Sequence, residues 1–147
     1  MSPAVATRVK PDAQLAQSLL EQSREQLRVD FNRSLALAQN ARQVAEEIGD
    51  ERLRALALRA AANALSVGGK NQNSIEHHTE AIAAFEGVGD DPELARTLSA
   101  CMQPLLLLGR YDEALEAAAR ARGPGPRAPR PGSQPAAASS RAVRWSR

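Results

Sequence analysis

Three features of this chain carry residue types that could do chemistry: the adjacent pair His77-His78, the single cysteine Cys101, and the run Val67-Gly68-Gly69-Lys70. Two imidazoles suggest metal binding. On a helix, however, neighbours point about 100° apart, useful ligand spacing is i, i+4, and no third ligand lies nearby in sequence. The Gly-Gly-Lys run hints at a phosphate loop, but the earlier glycine such a loop needs falls at Ala64 inside a helical pattern. The hydroxyl expected after the lysine is replaced by Asn71. Cys101 falls on a packing face with no residue placed to activate it, so it reads as a core thiol. No Ser/His/Asp or Cys/His arrangement is present, and no cofactor, metal site or catalytic set is expected.

The elements that would have to position any site repeat themselves. Ile48-Gly49-Asp50 returns as Val88-Gly89-Asp90, and Gly69 returns as Gly109, each 40 residues later. Self-similarity at such a period marks a solenoid. Between these anchors the apolar residues fall at helical spacing. Helices are predicted from Asp12 to about Arg28, from an Asp30 cap to Ile48, from Glu51 to the Gly68-Gly69 stop, and from an Asn71 cap to Val88. Asp91-Pro92-Glu93 opens a fifth, with Asp91 as its cap, running to about Leu108 and kinked by Pro104. A sixth spans 112–122.

The expected organisation is a leader at 1–10, a helical array at 11–122 with units at about 12–48, 51–88 and 92–122, and a tail at 123–147. The tail is rich in Pro, Arg and Ala and has almost no large apolar residue, which predicts disorder. It also reads as the text an out-of-frame reading of GC-rich DNA produces.

Composition agrees with an all-α fold. The only aromatic residues are Phe31, Phe85, Tyr111 and Trp145, so Leu, Ile, Val and Ala must fill the core. Of 19 Lys and Arg, five follow Arg122, where there is no acid, so residues 1–122 hold 14 basic against 17 acidic groups. The positive balance thus belongs to the tail, and no nucleic-acid binding is expected of the helical part. One cysteine, no signal-peptide core and no apolar run of membrane length predict a cytoplasmic chain with no membrane contact. The sequon Asn32-Arg33-Ser34 is then incidental.

The segment from Leu106 through Gly109-Arg110-Tyr111 to Glu116 resembles the helix-to-helix turn of a tetratricopeptide repeat (TPR). The small-residue frame of that family is followed by Ser34 and Ala41, Ser74 and Ala81, and Ala114 and Ala121 in the three units. Phe31 and Tyr111 stand where the family packs an aromatic wedge, and Asn71 replaces it in the middle unit. Leu58 or Leu98 takes the place of the family's first large aromatic, Ala62 or Met102 that of its glycine, and Ala38, His78 or Ala118 that of its second-helix aromatic.

The resemblance implies a short right-handed solenoid of antiparallel helix pairs whose first helices line a concave face. Arg59, Asn63, Arg96, Ser99 and Gln103 are then the partner-binding candidates. Arg59 and Asn63, four apart, resemble the pair with which some members hold a peptide carboxylate or backbone. The implied function is a non-catalytic scaffold for a protein or peptide partner. The 40-residue unit is similar to bacterial arrays ahead of CHAT protease domains or in large transcription activators, which gives the alternative of a truncated regulatory region. If 1–122 is the front of a longer array cut short, Leu115 and Ala118 of the last helix are incompletely covered and self-association through that helix is expected.

Overall fold

A computed structural model describes residues 10–123. The leader and tail readings, apart from Lys10 and Gly123, concern residues outside that span. Among the described residues there are seven helices and no strand: α1 (Ala13–Gln26), α2 (Phe31–Ile48), α3 (Glu51–Val67), α4 (Asn71–Val88), α5 (Asp91–Ala100), α6 (Met102–Leu107) and α7 (Tyr111–Ala121). They stack in chain order as antiparallel pairs, α1 with α2, α3 with α4, and the broken α5–α6 with α7.

Local chemistry sets the joints. A carboxylate satisfies an otherwise orphan N–H at each of four helix starts: Asp12 accepts from Leu15 N at 2.8 Å, Asp30 from Arg33 N at 3.1 Å, Asp50 from Leu53 N at 3.0 Å, and Asp90 from Glu93 N at 3.2 Å. The cap of α5 is therefore Asp90, not Asp91. Asp91 and Pro92 are its first two helical residues, which lets the proline sit where a missing N–H costs nothing. Gly49 and Gly89 close α2 and α4 with φ of 72° and 73°, a left-handed turn that a Cβ would strain.

Asn71 does not cap α4. Lys70 occupies the cap position without a side-chain bond, and Asn71 is the first helical residue, its Oδ1 buried without a partner. Pro104 has no N–H to return to the Ala100 carbonyl, and the helix is interrupted there for the single residue Cys101, which keeps right-handed helical angles, its N–H bonded to Thr97 O at 3.0 Å and its carbonyl accepting from Leu105 N at 3.3 Å.

The core forms successive clusters along the stack, as a solenoid requires. Ala16, Ala45 and Leu53 join the first unit to the second. Ala55, Leu58, Ala81, Ala84 and Phe85 fill the second. Ile75, Leu98, Cys101, Leu105, Ala114 and Ala117 join the second to the third. Within a unit, small residues let the helices close in, and hydroxyls tie them. Ser34 Oγ donates to Ser23 O at 2.7 Å, Ser23 Oγ donates back to Ser34 O at 2.8 Å, and Ser74 Oγ donates to Ala62 O at 2.8 Å.

Between units, bonds recur at separations of 34 or 38 residues: Arg52 to Asp90, Arg59 to Glu93 and Thr97, Arg110 to Gln72, and Arg120 to Glu86. Phe31 packs as the aromatic wedge, its ring filling the space a Cβ on Gly68 would need. Tyr111 does not: it is 62% exposed, because nothing among the described residues stands to it as Gly68 stands to Phe31.

Candidate functional site: the groove of the first helices

Alternation of the helix pairs places α1, α3 and α5 side by side, and between them lies a groove of about 590 Å³. Its floor is apolar, with Leu20 and Leu27 from α1 and the turn after it, and Leu56 and Ala60 from α3, all half-buried. Its rim is polar: Gln17, Glu21 and Arg24 from α1, Arg59 and Asn63 from α3, and Glu93 and Arg96 from α5.

Three of the five sequence-predicted residues, Arg59, Asn63 and Arg96, thus meet at one groove. Ser99 and Gln103 do not line it, although both are exposed. They occupy the repeat positions of Arg59 and Asn63 one unit later. What walls Arg59 is the following unit, through Glu93 and Thr97, and the residues at the same spacing from Ser99 fall outside the described span. Gln103 also lies beyond the break at Cys101.

Arg59 is committed rather than free. Its guanidinium lies 3.2 Å from Glu93 Oε1, 3.3 Å from Thr97 Oγ1, and 5.5 Å from the centroid of the Phe85 ring. It therefore fixes the spacing of α3, α4 and α5 around the groove. Glu93, the one buried carboxylate among the described residues, also receives Arg96 at 2.8 Å and Arg52 at 3.7 Å. Burial alone would raise its pKa, but hydrogen bonds and charge from Arg59 and Arg96 outweigh that and hold it below the usual carboxylate value. Glu93 was read from sequence as a helix-start acid only, and its 34-residue spacing from Arg59 was the available signal.

Asn63, Gln17, Glu21 and Arg24 have no side-chain hydrogen bond or ion pair among the described residues, so their polar groups face the groove uncommitted. Gln17 and Arg24 were missed because α1 carries little of the repeat frame.

His77 and His78 diverge. His77 Nδ1 donates to Asn73 O at 2.9 Å on the surface, whereas His78 is buried with Nδ1 3.1 Å from Ser74 O. The proton on Nδ1 leaves His78 Nε2 without a partner. Burial, together with the charges of Arg59 and His77, pushes its pKa down from 6.5 to about 4 despite the Ser74 carbonyl, so it is a neutral packing residue near neutral pH. Cys101 is buried, its Sγ donating to Leu98 O at 3.3 Å. No cluster of three or more metal-ligating side chains occurs among the described residues, and no described helix is long and apolar enough to cross a membrane.

The stacked pairs and the groove along their first helices define a class of fold. The crystal structure of the TPR domain of Arabidopsis FLU matches this chain with a TM-score of 0.69, covering 74% of this chain and 92% of that one at 19% identity. No family model and no curated protein matches the sequence. The chain thus has the fold of a TPR domain.

Proposed function

We propose that this chain is a non-catalytic interaction scaffold that holds an extended segment of a partner protein in the groove between α1, α3 and α5. The observation that carries this reading is the convergence of four uncommitted polar side chains, Gln17, Glu21, Arg24 and Asn63, on the apolar floor of a groove of about 590 Å³. Leu20, Leu27 and Leu56 offer the surface for one apolar side chain of the segment, and the Asn63 amide can bond its backbone. Glu93 decides where an acidic group of the segment goes. It already holds Arg59 and Arg96, so an incoming carboxylate is directed to Arg24, which makes no ion pair even with Glu21 three residues before it and is free for a charge-assisted bond. The shared fold adds support, since TPR domains generally bind protein partners. The alternative, a regulatory region of a CHAT-type protease or transcription activator, rests on the 40-residue period alone.

The test is to pan a displayed random-peptide library against the immobilised chain and measure the selected peptides by calorimetry. Peptides with an acidic group near an apolar side chain are expected, with affinity reduced about tenfold or more by Arg24→Ala plus Asn63→Ala. Equal affinity for that variant, or no selected peptide, overturns the groove.

A further inference from the structure

The outer face of α7 is built from positions that both earlier units cover. Tyr111, Leu115, Ala118 and Arg122 follow at i, i+4, i+7 and i+11, which sets them on one stripe. The repeat places Phe31, Leu35 and Ala38, and Asn71, Ile75 and His78, where Tyr111, Leu115 and Ala118 stand. Ala38 is 0% exposed, Ile75 7% and His78 1%, while Tyr111 is 62% and Leu115 69% exposed.

The opposite end of the array cannot be what covers this stripe. Apart from Ala13, every exposed residue of α1 is polar or charged: Gln14, Gln17, Ser18, Glu21, Gln22, Arg24 and Glu25. That finish is polar, so stacking of copies head to tail would bury charge against leucine.

The stripe is instead complementary to itself. Asp112 flanks its first turn and Arg122 ends it, with Leu115 and Ala118 between. Asp112, Glu116 and Arg122 have no ion pair among the described residues, whereas Arg110 is used by Glu113 and Arg120 by Glu86, so Arg122 is the one cation of α7 and its flanks left to meet these acids. Two α7 helices laid antiparallel about a twofold axis set Leu115 of each against Ala118 of the other. The same placement brings Tyr111 and Asp112 of each beside Arg122 of the other.

We propose that a second copy of this chain covers α7, forming a twofold dimer through the Tyr111–Arg122 stripe. An isologous contact of this kind closes at two copies. It is independent of what the groove holds.

Sedimentation velocity of the full chain from micromolar to millimolar concentration tests it. A reversible monomer–dimer equilibrium is expected, with no larger species. Leu115→Asp should be monomeric at all concentrations with an unchanged helical circular-dichroism spectrum, since this side chain is mostly exposed within one copy. Asp112→Arg or Arg122→Asp alone sets like charges face to face and should weaken the dimer about tenfold, while the two together restore it to within about threefold of the original. A monomer throughout, a dimer indifferent to Leu115→Asp, open-ended growth, or failure of the double variant to restore pairing overturns the proposal.

Discussion

The joint between the second and third units and the outer face of the third are written in the same residue alphabet, yet one is core and the other surface. Ile75 on α4 joins Leu98, Cys101, Leu105, Ala114 and Ala117, all supplied by the unit that follows. Leu115, its counterpart on α7, has the same size and polarity and is 69% exposed. In a solenoid, burial is a property of the neighbour rather than of the residue, and an apolar side chain becomes core only when the next pair arrives.

The comparison is broken or sharpened first by truncating both positions. Ile75→Ala should destabilise by about 3 kcal/mol, transfer and cavity costs together, whereas Leu115→Ala should change stability by less than about 0.5 kcal/mol. Urea unfolding at a concentration where the chain is monomeric measures both. Comparable losses would mean that α7 is already covered within one molecule.

The second test uses pH, which acts on the joint and spares the open end. His78 has its pKa depressed from 6.5 to about 4, so between those values the unfolded chain takes up a proton that the folded chain refuses. Stability is then fully present above 6.5 and falls as pH drops toward 4, by about 3 kcal/mol at most. The corresponding residue of α7 is Ala118, which does not titrate. His78→Leu should flatten the stability profile across this window, and a slope that survives the substitution would assign it to other groups. Glu93, whose pKa is lowered from 4.5, adds stability that is present above that value and lost at lower pH in either protein.

The smallest difference lies in the caps. Asp50 accepts from Leu53 N at an inner joint, whereas α7 starts after Arg110 with no side-chain cap. Asp50→Ala should cost about 1 kcal/mol, and Asp112→Ala should leave thermal unfolding of the monomer unchanged.

What the sequence made legible was local. Gly49, Gly89 and the Asp30 cap were readable because capping chemistry needs only a few consecutive residues. The one-residue displacement from Asp91 to Asp90 reflects two adjacent acids competing for one role. Asn71 misled for the opposite reason: a residue type suited to capping was drawn into the first helical turn. Tyr111 and Phe31 looked alike because the difference between them lies some 37 residues further on, in Gly68. The groove was half legible, since Arg59 and Asn63 announce a face by their spacing. The burial of Glu93 and the contribution of Gln17 and Arg24 depend on how three separate helices align.

The break between α5 and α6 places the only thiol of the chain at a built-in reporter position. Cys101 follows the Ala100 carbonyl that Pro104 leaves without its helical bond, its sulfur tucked against Leu98 O and its pKa raised by burial, so it should resist alkylation while the third unit is closed. Its labelling rate under native conditions therefore acts as a clock for that unit's opening, readable by mass without any introduced probe. Set against the rate of global unfolding, it distinguishes an array that frays from its end from one that comes apart as a whole.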